Sequence, residues 1–461
     1  MPDETLKAGD SAIMAGVFPR HAAAALSRQM GEPDWMQQRR QLAWSLYEDM
    51  PMPTLRDDHW RRTDLRPLKW DTLRLPDGAG GARAASIDAL PAPLRAALDA
   101  DEEAAGRLVS LNGQALWHEI APALVAQGVV FTDMASAVRE HPDLVQQHFM
   151  TECVAPADSP GRISRGDGKF AALHGALWNG GAFIYVPKGV RIDRPFEIVV
   201  GLDGEGSAIF PHTLIVAERE SGVTVIEDSL SLDSAKQAFA GGVTEIIAGD
   251  GAQVTYADLQ RWGEHVFSFN TRRAVHRPDS RVVWEMGQLG SRLSKTYVDS
   301  ILSGDGASVR FNGVYFVNGR QHIDLDTLMH HIGRSTTGDL LIKGAAQERG
   351  RAVFTGMIRI EKSGQQADSY LKSDNLILSD RARVDSIPGL VIDADDVRAS
   401  HGATVGRVDE EHIFYLQCRG IPRPVAVRMV VEGFFASVFD RMSQERVRRK
   451  LATAVSAKLD N

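Results

Sequence analysis

Short runs of alternating apolar and polar residues dominate the middle of the chain, from about residue 165 to 405. Runs such as Phe183-Ile-Tyr-Val186 and Val223-Thr-Val-Ile226 are typical of β-strands, and glycine, aspartate, asparagine and serine separate them. A short motif, made of a turn and the start of the following strand, occurs three times: Gly249-Asp-Gly-Ala-Gln-Val254, Gly304-Asp-Gly-Ala-Ser-Val309 and Ser379-Asp-Arg-Ala-Arg-Val384. The pattern predicts a mainly β core.

The spacing of these strands indicates how they are arranged. Val225, Val254, Val283 and Val309 lie 29, 29 and 26 residues apart. Spacing of this size favours the coils of a β-solenoid, each of which buries its inner face on the next coil. A β-sandwich, or several small β domains, is the alternative that spacing alone leaves open. A solenoid hides its strand edges except at its two ends, so the flanking regions are candidate caps or docking surfaces.

Helical patterns flank the β core. We predict a mostly helical N-terminal region over residues 1–160, the β core over residues 161–408 and a helical C-terminal region over residues 409–461. In the first region, Asp34 can cap a helix that the prolines after residue 50 would end.

In the C-terminal region, Asp409 is a suitable N-cap for a helix from Glu410 to Gln417, which Gly420 would end. A second helix is predicted after Pro424, because apolar residues there recur with a helical period. These residues are Val427, Val430, Val431, Phe434, Phe435, Val438, Phe439 and Met442. The basic run from Arg446 to Lys450 is most simply a solvated helix face.

Composition narrows the possible functions. The formal net charge of −8 gives no reason to expect nucleic-acid binding. Two cysteines, Cys153 and Cys418, exclude a disulfide framework and a four-cysteine metal site, and we interpret both as structural, buried thiols. The N-terminal residues do not resemble a signal peptide, and no apolar run is long enough to span a bilayer. No phosphate-binding loop signature occurs, so ATP hydrolysis is not expected of this chain.

Few residues suggest chemistry. His401 precedes a glycine in a predicted strand, where it is either a metal ligand or a histidine hydrogen-bonded at a strand end. The densest set of potential ligands is His322, Asp324, Asp326, His330 and His331. We interpret this set as structural, because strand geometry does not return the last two histidines to the aspartates without a turn.

Four segments carry a resemblance to a known family. They are Lys169 to Val190, His322 to Asp326 with the following histidine pair, Ser400 to Gly406, and Phe414 to Ile421. Together they resemble the SufB/SufD family of iron–sulfur cluster assembly proteins. The resemblance implies a right-handed parallel β-helix core with helical N- and C-terminal regions. It also implies a cytoplasmic complex of SufB, SufD and the ATPase SufC, in which this chain is a non-catalytic subunit.

The SufD type of the family fits this chain better than the SufB type. Ser373 stands where SufB-like sequences carry a cluster-associated cysteine, and Gly402 replaces a glutamate that follows their histidine. A serine hydroxyl is a poor iron ligand where a thiolate is expected. The expected metal ligand is therefore His401, which would hold iron or a transient iron–sulfur cluster together with SufB. A SufB-like scaffold is the nearest alternative, and a solenoid enzyme acting on polysaccharides is an alternative from a different class.

The resemblance also assigns partners. The β-helix would pair with that of SufB, and the C-terminal helices would dock SufC. The residues expected to contact SufC are Val427, Val430, Val431, Phe434, Phe435 and Val438. Whether the chain pairs with itself in the absence of SufB, and whether a flavin binds, are left open.

Overall fold

The computed structural model describes residues 18–76, 83–98, 102–155, 165–232 and 236–460. The helices in these ranges are α1 (Ala22–Met30), α2 (Asp34–Asp49), α3 (Ala92–Ala97), α4 (Pro122–Val125), α5 (Met134–Glu140), α6 (Pro142–His148), α7 (Gly168–Leu177), α8 (Glu410–Gln417), α9 (Arg423–Phe439) and α10 (Glu445–Asp460).

The strands are β1 (Gly106–Leu111), β2 (Gln114–Ile120), β3 (Val130–Asp133), β4 (Gly180–Val186), β5 (Phe196–Leu202), β6 (Ala208–Ile209), β7 (Pro211–Ala217), β8 (Gly222–Ser231), β9 (Ala238–Ala240), β10 (Val243–Ala248), β11 (Gln253–Arg261), β12 (Val266–His276), β13 (Arg281–Gln288), β14 (Leu293–Leu302), β15 (Ser308–Val317), β16 (His322–His331), β17 (Thr337–Ala346), β18 (Arg351–Ile360), β19 (Asp368–Ile377), β20 (Arg383–Ile392) and β21 (Arg398–Arg407).

The strands form two facing sheets that wind into a parallel β-solenoid of about eight coils. One sheet has ten strands in the order β2-β1-β5-β8-β11-β13-β15-β17-β19-β21. The other has eleven, with the main path β20-β18-β16-β14-β12-β10-β7-β4-β3. Because successive strands alternate between the sheets, each coil pairs only with the coil before and after it. The predicted solenoid is confirmed.

Stacked turns join the sheets at one corner of each coil. Gly251, Asp279, Gly306 and Ser335 occupy the same place in successive coils, and all have positive φ, between 54° and 70°. The amide of each donates to a carbonyl in the turn of the next coil, as Asp279 does to Asp305 at 2.9 Å. The two Gly-Asp-Gly motifs form this corner, because glycine adopts the left-handed backbone conformation at little cost. The third motif, Ser379 to Val384, precedes β20 and lies at the opposite corner of its coil.

The coils repeat as predicted, but of the four valines used to predict the spacing, Val225 and Val283 are out of register with the other two. The pairing aligns Val223, Val254, Val282 and Val309 in one buried column. Val225 instead aligns with Tyr256 in the next coil. The coils differ in length, so a fixed interval counted along the sequence drifts against the true register.

Helices cover the outer faces of both sheets. Aromatic residues of the N-terminal helices and of the segment after them, including Trp44 and Trp60, pack on the eleven-stranded sheet. Helices α9 and α10 pack on the ten-stranded sheet. Strands β1 to β3 lie in the range predicted to be mostly helical, and they extend both sheets at the N-terminal end. Within the described residues, no helix has the length and apolar character needed to cross a membrane.

Candidate functional site

Within the described residues, the sheets finish at both ends in strands that have a hydrogen-bonded neighbour on one side only, β2 and β3 at the N-terminal end and β20 and β21 at the C-terminal end. The two ends differ in burial. Side chains of β2 and β3 are buried or half-buried, and Leu124 of α4 packs against the core there, so we call this the capped end. Side chains of β21 and of the second half of β20 are mostly exposed. Leu390, Ile392 and Val405 are 36%, 39% and 43% exposed there. We call strands β20 and β21 the open end, and such apolar strand edges are templates for pairing with another chain.

His401 ends a column of side chains that is otherwise apolar. Trp284, Phe311, Leu340 and Leu371 precede it, one in each coil, and each is in register with the next. Aligned residues of neighbouring parallel strands project to the same side, so His401 belongs to the lumen face of the last coil. It is exposed because no later coil covers it. Among the described residues its imidazole has no hydrogen-bond or ion-pair partner, which leaves both ring nitrogens available to a ligand.

Ser373 lies one coil deeper, and its hydroxyl oxygen already accepts two hydrogen bonds. Its side chain is buried, and it aligns with Ala403, two residues beyond His401. The Ser373 Oγ accepts from Asn375 Nδ2 at 3.0 Å and from Ser386 Oγ at 3.1 Å. This position therefore supplies a structural hydroxyl beneath the open end, with no thiolate to hold iron.

The five residues of the dense histidine and aspartate set do not converge. Asp324 and Asp326 face outwards from β16, where Lys295 lies 2.9 Å from Asp324 and Arg165 lies 2.6 Å from Asp326. His331 faces the lumen and contacts Thr336 at 2.9 Å and Ser369 at 3.0 Å. The partner of His330 is Glu361, at 2.8 Å. Over the described residues, no three histidine, cysteine or acidic side chains are placed to hold a metal.

Buried ion pairs explain the state of the two aspartates. Burial alone would raise the pKa of Asp326, but Arg165, with help from His59 and Lys295, lowers it to about 2. For Asp324 the effect of burial prevails over that of Lys295, and its pKa is raised. Both carboxyl groups join the solenoid to the segment around Thr63, which donates to Asp324. They hold this segment on the outer face of the solenoid.

The apolar stripe of α9 faces the protein's own solenoid. Val431, Phe435 and Val438 are fully buried in one cluster with side chains of the ten-stranded sheet, such as Phe316. Phe434 packs at the margin of this cluster. Val427 lies at the same margin, and Val430 is half-buried on the helix. Most of the side chains expected to contact SufC are therefore committed to intramolecular packing, because a helical period alone does not tell which neighbour covers the stripe.

A different set of large apolar side chains is accessible beside the open end. Phe414 and Tyr415 of α8 are 67% and 56% exposed, and Val425 and Met429 of α9 are 47% and 45% exposed. Asp409 caps α8 by accepting from the Glu411 amide at 2.8 Å, as the sequence predicted. We call these four apolar residues the helical patch. Their exposure was not evident from the sequence, because buried and exposed positions of a short helix show the same composition.

Two further predictions are wrong. Arg446 is buried, not solvated, and it pairs with Glu102 at 2.8 Å and with Glu197. Both acids precede it by more than 240 residues, so no local charge pattern reveals them. Cys418 is exposed at the end of α8. Cys153 is buried as expected, and its thiol donates to the Arg273 carbonyl at 2.8 Å.

Comparison with protein-family models identifies the class of protein. The model described as SUF system FeS cluster assembly, SufBD core domain, matches residues 200–434. The model of the SufBD protein N-terminal region matches residues 105–198. The chain therefore belongs to the SufB/SufD family of iron–sulfur cluster assembly proteins. The resemblance seen in the sequence motifs is confirmed.

Individual relatives lie in both branches of the family. The chain is 33% identical to the iron–sulfur cluster assembly protein SufD of Bacillus subtilis, over 94% of this chain and 96% of that protein. It is 30% identical to SufB of the same organism, over 89% of this chain and 86% of that protein. A SufBD family protein of Staphylococcus haemolyticus has the same identity and coverage as this SufB. The SufD likeness is thus supported, with SufB close behind.

Proposed function

We propose that this chain is a SufD-type, non-catalytic subunit that pairs with a SufB protein and docks the ATPase SufC in a cytoplasmic assembly complex. The open end of the solenoid is the observation that carries this proposal. If other elements covered the strand edges at both ends of the solenoid, no edge would be available to pair with a related solenoid.

Pairing at the open end accounts for two of its properties. The edges of β20 and β21 carry backbone groups that a partner strand can satisfy. Leu390, Ile392 and Val405 supply apolar surface that pairing would remove from water. A SufB solenoid presenting a similar end would continue both sheets. In the absence of SufB, a second copy of this chain is the alternative occupant of the same surface.

His401 would be the contribution of this chain to the bound iron or nascent cluster. A single imidazole cannot hold a cluster, so thiolates of SufB must provide the remaining ligands. The lumen-facing position of His401 at the open end puts it at the edge where SufB would pair. The cluster is cargo that is assembled and passed on, and Ser373 leaves this chain without a thiol ligand at the place where SufB-like sequences carry one.

SufC docking is proposed at the helical patch, in place of the buried stripe. Phe414 and Tyr415 expose enough aromatic surface to act as anchors of an interface. Of the residues first expected to contact SufC, Val427, Val430 and Phe434 can still contribute at its margin. ATP hydrolysis would belong to SufC, since this chain has no phosphate-binding loop.

The alternatives are less well supported. A SufB-like scaffold that holds a cluster alone needs a thiolate, and the position where SufB-like sequences carry their cluster-associated cysteine is Ser373 in this chain. A polysaccharide-acting solenoid needs carboxylates open to a groove. Asp324 and Asp326 are instead buried in ion pairs. We recognise no flavin-binding motif in the sequence, and flavin binding is not part of the proposal.

Co-expression with SufB and SufC tests the proposal. Deleting residues 409–461 would uncover the sheet face beneath α9 and α10, so point substitutions are cleaner. We expect the combined change Phe414→Ser and Tyr415→Ser to abolish recovery of SufC while SufB is retained. Leu42→Ser on α2, where Leu42 is 61% exposed, is the control and should retain both partners. Full recovery of SufC with the double variant would reject the helical patch as its docking site.

A further inference from the structure

Two buried polar side chains form a link inside the solenoid that runs towards the open end. The Tyr315 hydroxyl on β15 donates to the Oδ1 of Asn375 on β19, two coils further on. The amide nitrogen of Asn375 donates in turn to the Thr404 carbonyl of β21, the last strand of the sheet, at 3.0 Å. Both side chains are almost completely buried. We call Tyr315 and Asn375 the lumen tie.

The chemistry of these groups fixes the orientation of the Asn375 amide. The Thr404 carbonyl can only accept, so the nitrogen of the amide must face it. The second hydrogen of that nitrogen goes to the Ser373 Oγ at 3.0 Å, which leaves the amide oxygen to accept from Tyr315. Burial raises the pKa of Tyr315 above its usual value, so the phenol keeps the hydrogen that it donates. Every polar atom of the Asn375 side chain therefore has a partner.

A glycine makes room for the lumen tie. Gly344 of β17 lies between Tyr315 and Asn375 in the strand register, and the Tyr315 ring crosses it. A Cβ atom at Gly344 would lie 2.1 Å from the Cε2 and Cζ atoms of that ring. The φ angle of Gly344 is not positive, so the glycine is required by the ring and not by a turn.

The strand that the lumen tie reaches has little else to hold it. Every side chain of β21 is exposed or half-buried, and β19 is its one hydrogen-bonded neighbour among the described strands. Gly402 and Gly406 weaken the strand further, because they add no side chain to pack. On the outer face, the Thr404 hydroxyl donates to Asp374 at 2.9 Å. Because such an edge strand opens locally at a small cost in free energy, a buried contact to its backbone decides how often it is in place.

We propose that Asn375, held by Tyr315, is a positioning residue that keeps β21 and His401 in the arrangement that pairs with SufB. This inference rests on the proposed function, because pairing at the open end is what gives the strand its role. His401 lies three residues before Thr404 on the same strand. A partner strand can add only to an edge that is already extended, so the affinity for SufB falls with the fraction of molecules in which β21 is in place.

Hydrogen exchange of the full chain tests the lumen tie directly. Asn375→Leu removes the three hydrogen bonds of the amide at nearly unchanged volume. We expect the peptide covering residues 398–407 to exchange about tenfold faster in this variant, while β11 and β13 keep their exchange rates. Tyr315→Phe keeps the ring and removes only the hydroxyl, so it should fold even if Asn375→Leu does not, and it should speed exchange of the same peptide about threefold.

Asn270→Leu is the matched control for these variants. Asn270 is also buried in the lumen, and its amide donates to Ser268 at 2.8 Å, two residues earlier, as that of Asn375 does to Ser373. It lies on β12, several coils from β21, so its loss should leave exchange over residues 398–407 unchanged. Unchanged exchange of that peptide in Tyr315→Phe, or equally faster exchange in Asn270→Leu, would overturn the lumen tie.

The affinity for SufB tests the positioning role. We expect Asn375→Leu to weaken binding of SufB several-fold in sedimentation velocity, Tyr315→Phe to weaken it less, and Asn270→Leu to leave it unchanged. Normal affinity in a variant whose β21 exchanges faster would overturn the positioning role. If the unmodified chain does not bind SufB, the proposed pairing fails and the positioning role fails with it, whereas the exchange rates of the isolated chain still decide whether the lumen tie holds β21.

Discussion

At the scale of single residues, His401 is set apart by what it does not contact. It has no polar partner within the described residues and is exposed at the open end. We therefore expect His401→Ala to change the free energy of unfolding by less than about 0.5 kcal/mol. The same change should lower the iron and sulfide content of the co-expressed complex several-fold. Thermal unfolding and metal analysis measure the two effects.

His412→Ala is the control for this prediction, because His412 is also exposed and lies nearby on α8. It should leave both stability and iron content unchanged. Normal iron content with His401→Ala would remove His401 from the proposed role.

A second histidine, His276, has the opposite surroundings. It is fully buried in the lumen, and neither ring nitrogen has a partner among the described protein atoms. Burial, with a smaller effect of His331, lowers its pKa from 6.5 to about 3. The unfolded chain therefore binds a proton below pH 6.5 that the folded chain does not, and stability falls as the pH drops from 6.5 towards 3, by up to ~1.4 kcal/mol per unit.

We expect His276→Leu to reduce this loss of stability in acid, because the apolar side chain removes the titrating group from between Ala248 and Leu302. Urea unfolding at pH 7 and pH 5 measures the difference. An unchanged difference between the two pH values would mean that His276 is not buried in its neutral form.

At the scale of elements, α9 is part of the core and not a loosely attached arm. Phe435 is fully buried between the helix and the ten-stranded sheet. We expect Phe435→Ala to lower the free energy of unfolding by about 3–5 kcal/mol, from lost burial and the cavity left behind. Val425→Ala on the exposed side of the same helix should cost less than about 1 kcal/mol. Similar, small costs for the two variants in urea unfolding would contradict the described packing.

Elements were predictable from the sequence wherever the signal is local. The Asp409 cap, the bounds of α8 and the two Gly-Asp-Gly corners follow from residues a few positions apart. The register of the valine column was missed because coil lengths vary. The sequence could not decide what covers the α9 stripe, because the side chains that pack on it belong to distant strands. The same limit applies to His401, whose place at the end of an apolar column requires the register of five coils.

At the scale of the whole molecule, the terminal regions are joined across the solenoid. Arg446 and Arg449 of α10 both reach Glu102, which precedes β1. Helix α10 thus ties the capped end to the sheet that continues towards the open end. The sequence could not show this link, since it depends on residues more than 340 positions apart. Within the described residues, the end formed by β20 and β21 is thus the more exposed end of a solenoid whose terminal regions are linked by ion pairs.

The most direct test of this account is the affinity of the purified chain for its SufB partner, measured by sedimentation velocity. Val405 lies in the exposed edge strand of the open end, and Val125 is exposed at the capped end. If the open end pairs with SufB, Val405→Lys should weaken the complex at least tenfold, because it buries a charge at the interface, while Val125→Lys should leave the affinity unchanged. Equal affinity of SufB for Val405→Lys and the unmodified chain would contradict pairing at the open end.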